Sequence, residues 1–366
     1  MNHSGLNIKE IKSRNISSIL YLLNSNHAMS RKDIADSLSL TPAAVTKICA
    51  KMIDDGLIEE KGEEKSNGAG RKKILLSLKL DSFYTLCINA EVDKITISAV
   101  RFDAKLINSI SLDVSADVDS IISQSKKILK ESKIEKSKFL CTSICVIGSA
   151  ENRSFGIWNN EEIKRTAEEE IGLPVVMENN VKAFALAQLI YSEKTYEKSV
   201  LFFKWGPGIG SAIANDGKVL SGSDADITEI GHYIIKKDGK KCRCGRYGCL
   251  ETEASAMAIK NSVGQDMTLN EIISSSDKNI INIIDEKIDL IAMALTNTAT
   301  ILNAEKIILF GSVFTNTQIS KKTAKQCSRY NRNLKEDAVE CSKLNDKISY
   351  IGPAALAAKH FFFEKH

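Results

Sequence analysis

Ile16, Ile19, Leu20 and Leu23 recur at i, i+3, i+4 and i+7, which predicts an amphipathic helix ended by the polar turn Asn24 to Ala28. Ser30-Arg31-Lys32-Asp33 offers a capping hydroxyl with a carboxylate three residues on, ahead of Ile34, Ala35 and Leu38. That predicts a second, short helix. Thr41-Pro42 repeats the signal, with a hydroxyl at the cap and proline at the first helical position, where its missing N–H costs nothing. A third helix follows and stops at Gly56. Leu57 to Glu60 and Ile74 to Leu78 read as two strands around the polar, glycine-containing tip Ser66 to Lys73.

Within the third helix Val45, Ile48, Met52 and Ile53 form the inward face, leaving Ala43, Ala44, Thr46, Lys47, Ala50 and Lys51 outside. Small side chains allow close approach to a major groove, and lysine reaches phosphate or guanine. Three helices and a ribbon with a basic tip make a winged helix-turn-helix, expected over residues 1–80. The expected DNA-facing set is Ser30, Arg31, Thr41, Ala43, Ala44, Thr46, Lys47 and Lys51, with Arg71 and Lys72 on the wing. The competing reading of this head is a three-helix module that binds protein.

After Asp81 the period becomes that of strands. Tyr84 to Ala90, Lys94 to Phe102 and Leu106 to Val114 are rich in β-branched residues and separated by short turns. A helix over about Val118 to Leu129 and a strand over Phe139 to Ile147 complete a β-β-β-α-β unit. A second unit begins near Ser199, with strands at Val200 to Trp205 and Ser211 to Ala214. Asp103-Ala104-Lys105 and Asp216-Gly217-Lys218 turn the two units at equivalent places, which suggests duplication into two lobes, residues 81–198 and 199–366, the C-terminal helix of the second being a candidate to pack back on the first. A cleft between two such lobes is what actin-like, ribonuclease-H-like sugar kinases possess. The expected fold is therefore an α+β head followed by a two-lobed α/β body of the sugar-kinase type.

Composition narrows the class. The chain has 366 residues, 43% hydrophobic and 26% charged, with 4 Pro and 20 Gly, which excludes collagen-like, low-complexity and wholly disordered readings. No window approaches eighteen uninterrupted apolar residues, and the amino terminus lacks the apolar core of a signal peptide. A cytoplasmic protein without a membrane partner is expected. The net charge of +4 lies wholly in residues 1–80, where 13 Lys and Arg face 9 Asp and Glu; the body sums to zero. This asymmetry suits a nucleic-acid-binding head on a neutral body.

Glu229-Ile230-Gly231-His232 is followed by Cys242-Arg243-Cys244-Gly245-Arg246-Tyr247-Gly248-Cys249-Leu250-Glu251. One His and three Cys within eighteen residues form a Cys3His set for tetrahedral zinc. Four protein ligands leave no open position for a catalytic water, so Zn2+ is expected to be structural. The competing reading is free buried cysteine; Cys49, Cys87, Cys141, Cys145, Cys327 and Cys341 are read as small core or surface residues.

With these motifs the chain resembles the ROK family (repressors, open reading frames and kinases), and specifically its winged-helix transcriptional regulators of sugar metabolism. The resemblance covers essentially the whole chain. It includes Gly70-Arg71-Lys72, Gly206-Pro207-Gly208-Ile209-Gly210, the histidine and cysteine motifs, Leu302-Asn303-Ala304-Glu305 and Gly352-Pro353-Ala354-Ala355-Leu356. It implies zinc ligands His232, Cys242, Cys244 and Cys249, and sugar contacts from Asn179, Asn180, Glu229, His232 and Glu251. Carboxylates that accept and amides that both donate and accept suit the hydroxyl ring of a pyranose. The resemblance further implies operator DNA, a sugar or sugar-phosphate effector, and a homodimer or homotetramer.

Departures from the family's kinases point away from catalysis. Asn89-Ala90-Glu91-Val92-Asp93 stands where kinases carry Asp-x-Gly-x-Thr for nucleotide phosphate, and Glu91 would fill and repel that space. Asn180 replaces the catalytic aspartate, and an amide cannot act as the general base. No enzyme activity is expected. Asn180, Lys182 and Gly148-Ser149 also motivate an alternative, a ligand-independent regulator with a decayed sugar site; an ATP-dependent sugar kinase is the third reading.

Overall fold

In the computed structural model, residues 8–63, 73–148, 159–192, 196, 198–220, 228–264 and 266–363 are described. The head contains α1 (Ile8–Asn26), β1 (Met29–Ser30), α2 (Arg31–Leu38), α3 (Pro42–Asp54), β2 (Ile58–Glu63) and β3 (Ile74–Leu78). Ile19, Leu20, Leu23, Val45 and Met52 are buried together, as their periodicity predicts. Cys49, left out of the predicted inward face, is buried with them. β1, a two-residue strand too short to leave a periodic signal, pairs with β3 and gives the sheet order β1-β3-β2. Both predicted helix caps form. Ser30 and Asp33 make a reciprocal capping box on α2, and Thr41 Oγ1 accepts from Ala44 N at 3.3 Å on α3.

The first body sheet comprises β4 (Tyr84–Ala90), β5 (Lys94–Arg101), β6 (Leu106–Asp113), β7 (Phe139–Val146) and β8 (Val175–Asn179). Its helices are α4 (Val118–Glu131), α5 (Asn160–Ile171) and α6 (Asn180–Tyr191). The second sheet comprises β9 (Val200–Trp205), β10 (Ile209–Asn215), β11 (Lys218–Val219), β12 (Lys306–Phe310) and β13 (Val339–Cys341). The two sheets have the same order, β6-β5-β4-β7-β8 and β11-β10-β9-β12-β13. Their pairing senses also agree: β4/β5 and β9/β10 are antiparallel, while β4/β7 and β9/β12 are parallel. The duplication read from two turn motifs is thus a duplication of topology.

Five helices complete the second half: α7 (Leu250–Ala254), α8 (Ala256–Val263), α9 (Leu269–Ile273), α10 (Lys278–Leu302) and α11 (Thr317–Tyr330). The last helix, α12 (Ile351–Ala358), crosses back to pack on α6, β4 and β7, and continues as a π-helical turn, Lys359–Phe363, that touches α1. Phe362 in that turn meets Phe83 and Phe102 edge-on, with ring centroids 5.2 and 4.5 Å apart.

α6 is apolar on nearly every side, the pattern of a helix with no solvent face. Phe184 stacks on Phe310 at 3.9 Å, and Gln188 is held at both ends, donating to Tyr196 Oη and accepting from Ser342 Oγ. A single apolar cluster runs from the head through α6 and α12 to β9 and β12. No helix among the described residues is long and apolar enough to cross a membrane.

Candidate functional site

The outer face of α3 matches its pattern: Thr41, Ala43, Thr46, Lys47 and Lys51 are exposed and Ala44 is half-buried. Thr46 Oγ1 donates back to the Pro42 carbonyl at 2.8 Å. Two members of the predicted DNA-facing set are otherwise engaged. Ser30 is 3% exposed, and its hydroxyl both donates to Asp33 Oδ2 and caps α2, so it is corrected to a structural residue. Arg31 Nη2 is ion-paired with Glu60 on the wing strand at 2.8 Å. Ser30, then Lys73, hold the Asp33 carboxyl below its ordinary range. Arg71 and Lys72 lie outside the described residues.

A cleft of about 60 Å³ is lined by residues of both five-stranded units, including all five predicted sugar contacts together with Val92, Lys204, Gly208, Gly210 and Arg243. Asn179 caps α6, its Oδ1 accepting from Val181 N and Lys182 N while its Nδ2 donates to the Gly148 carbonyl. Asn180 is buried and donates to the Ala90 carbonyl at 3.1 Å. Glu251 Oε2 accepts from Ile209 N at 3.0 Å, and its Oε1 pairs with Arg243 at 3.2 Å. The glycines of the 206–210 turn permit this approach. A Cβ on Gly210 would lie 2.7 Å from Val181 Cγ2, and one on Gly208 would lie 3.0 Å from Glu251 Oε2.

Sequence reasoning missed Lys204. It reads as core within the run Val200 to Trp205, yet its ammonium is ion-paired across the cleft with Glu91, both side chains being about nine-tenths buried. Glu91 also accepts from Asn89 and Asn180, each at 3.4 Å. The carboxylate expected to fill the phosphate space is therefore neutralised from the opposite lobe. An isolated lysine in an apolar strand was the available signal, because such a charge needs a buried partner.

Beside the cleft, one donor atom each from His232, Cys242, Cys244 and Cys249 lie within 4.8 Å of one another. His232 Nδ1 is 3.5 Å from Cys242 Sγ, and Cys244 Sγ is 3.6 Å from Cys249 Sγ. The edge of a tetrahedron with zinc–sulfur bonds is about 3.8 Å, so the donor set fits a tetrahedral ion. Burial, then Cys244 and Cys242, push the Cys249 thiol up to about 12, so its thiolate would form here only with a bound cation to offset that cost. The other ring nitrogen of His232 faces Glu229 at 3.7 Å, which ties the cluster to the cleft wall.

A duplicated five-stranded fold, a cleft between its sheets and a Cys3His loop on one rim, carried behind a winged helix, define a regulator-type member of the sugar-kinase-like class. The chain belongs to the ROK family, whose model matches residues 85–360; the MarR family model matches residues 3–63. The chain is 25% identical to the Escherichia coli DNA-binding transcriptional repressor Mlc over 73% of this chain and 69% of that one. It is also 25% identical to the xylose repressor of Caldicellulosiruptor bescii, over 92% and 94%. A solved ROK family transcriptional regulator, described as a homologue of the E. coli Mlc protein, superposes with a TM-score of 0.78 at 22% identity, covering 96% and 97%.

Proposed function

We propose that this chain is a sugar-responsive transcriptional repressor that binds operator DNA through the exposed face of α3. On this reading its effector, a sugar or sugar phosphate, enters the cleft lined by Asn179, Asn180, Glu229, His232 and Glu251. The observation that carries the proposal is the convergence of those five residues, drawn from three separate stretches of sequence, on one cleft of the body behind a winged helix. The relatives named as repressors support the same reading. The division into a head (1–80) and two lobes (81–198 and 199–366) is part of the proposal, with residues 351–363 assigned by their packing to the first lobe. Zn2+ held by His232, Cys242, Cys244 and Cys249 is structural, and the working form is a homodimer or homotetramer.

About 60 Å³ holds roughly four waters, so a pyranose enters when the lobes part. Parting them strains the Glu91–Lys204 bridge, and the same bridge fills the place where a kinase would hold nucleotide phosphate. The chain is therefore read as a regulator without kinase activity. Effector binding can shift DNA affinity only through a difference in affinity for two lobe arrangements.

The test is binding to DNA flanking the chain's own gene, at fixed salt, against a panel of sugars and sugar phosphates. One sugar should change the affinity, and Glu229→Ala should abolish that change while metal content stays the same. Specific binding indifferent to every sugar would favour the decayed-site alternative, for which the engaged amides of Asn179 and Asn180 speak.

A further inference from the structure

The body's neutrality is an average over a sharply uneven surface. Between Tyr233 and Tyr247 the loop that carries the cysteines holds Lys236, Lys237, Lys240, Lys241, Arg243 and Arg246 against a single acid, Asp238. All six cations are exposed. Arg243 turns inward to Glu251, whereas none of the other five forms a salt bridge among the described residues. Two tyrosines stand beside them, Tyr233 at 41% exposure and Tyr247 at 55%.

The main chain holds this charge in a fixed shape. Ile235 N and Lys236 N donate to the Gly248 carbonyl, Gly248 N donates to the Lys240 carbonyl at 2.9 Å, and Cys242 N donates to the Arg246 carbonyl at 2.7 Å. Buried Glu253 anchors the turn by accepting from Lys240 N at 2.7 Å. Five cations without a salt bridge, crowded on so short a loop with one acid, repel one another, and a polyanion relieves that repulsion.

We propose that the loop 233–247 is a second DNA contact, its lysines and tyrosine hydroxyls engaging the phosphates of duplex that flanks the stretch faced by α3. Lysine and tyrosine side chains donate to phosphate oxygens without reading sequence, whereas lysine is depleted from protein–protein interfaces. The loop borders the cleft at the amino end of α6, and the head meets the carboxyl end. Twelve residues of α6, about 18 Å of helix, separate those two ends.

The inference rests on the head binding duplex DNA, and the test separates the two. Affinity of the full chain is measured against salt on the minimal fragment it binds specifically and on the same fragment extended by about one helical turn, 10 bp, at each end. The variant Lys236→Gln/Lys237→Gln/Lys240→Gln/Lys241→Gln should lose about 2 to 4 from the log–log salt slope on the long fragment, at about 0.9 per phosphate contact. It should match the parent on the short one, and the corresponding Lys→Arg variant should keep the slope. In the unaltered protein the long fragment alone should protect these lysines from acetylation, a readout independent of whether the variants fold. An unchanged slope, or lysines equally acetylated on both fragments, overturns the proposal. So does normal DNA binding by the Gln variant with loss of a cross-linked acidic protein. Failure of the unaltered chain to bind either fragment would instead overturn the reading of the head.

Discussion

Asn24 in the head donates its side-chain N–H to the main-chain carbonyl of Ile190 at 3.0 Å, across 166 residues of sequence. Ile190 lies in the last turn of α6, and the first turn of the same helix carries Asn179, Asn180 and Val181 in the cleft wall. One buried helix therefore touches the cleft with one end and the winged-helix head with the other. Tyr191 Oη, donating to the Phe102 carbonyl at 2.9 Å, and Phe362 against Phe102 add a parallel contact.

If α6 is the element that both sites bias, Asn24→Ala should weaken the link while sparing the two ends. The variant should lose about 1 kcal/mol of stability, the net worth of one hydrogen bond. Operator affinity without effector should change little, whereas the ratio of affinities with and without effector should shrink. Titration of operator DNA at fixed salt with and without the active sugar reads that ratio. A ratio equal to the parent's would remove Asn24 from the coupling.

Strand limits within the body were legible because β-branched runs are bounded by short polar turns: Tyr84 to Ala90 is both the expected and the observed β4. The caps at Ser30 and Thr41 were legible because their chemistry is local. Pairings between distant residues were not. Glu91 meets Lys204 through a contact spanning 113 residues, and each alone reads as something else, a carboxylate that repels phosphate and a core-strand lysine. Ser30 shows the opposite error, since a hydroxyl beside a recognition module looked free to contact DNA when the cap had already used it. The return of α12 to the first sheet leaves no periodic mark and was open in the sequence only as one way for the C-terminal helix to pack within a two-lobed body.

Ser30 and Lys47 should separate folding from DNA contact. Ser30→Ala removes the α2 cap and should cost about 1 kcal/mol while leaving salt dependence of DNA binding alone. Lys47→Ala should leave stability unchanged and lower the salt slope by about 0.9. Because Asp33 is held below its ordinary carboxyl range, its contribution to stability is present above the unfolded carboxyl value and is lost as pH falls through the lower folded one. Ser30→Ala should weaken that acid-side loss. Denaturant midpoints between pH 2 and about 5 measure it, within the ordinary carboxylate range.

The buried Glu91–Lys204 bridge should behave asymmetrically. Lys204→Met leaves the Glu91 carboxylate without its cation and should cost about 3 kcal/mol or more, whereas Glu91→Gln/Lys204→Met together should recover much of that loss. Asn180→Asp should not yield ATP turnover with any sugar, because the bridge still occupies the phosphate space and the new carboxylate faces the Ala90 carbonyl and Glu91. Turnover from that single change would show that a nucleotide site survives.

Cys244 is the exposed member of the Cys3His cluster, so Cys244→Ser tests the metal with the least disturbance to packing. Metal content measured by mass spectrometry should fall from one ion per chain, and the loop 233–249 should gain protease sensitivity. Acid should mimic the variant, since thiolates that would hold an ion are protonated as pH falls, and burial already favours the neutral form at Cys249. Because His232 stands between the cluster and Glu229, metal loss should also blunt the effector response while leaving the head's DNA affinity in place. An ion retained at full stoichiometry after Cys244→Ser would exclude that cysteine as a ligand. A response unaffected by complete chelation would show that the cleft wall stands without the metal.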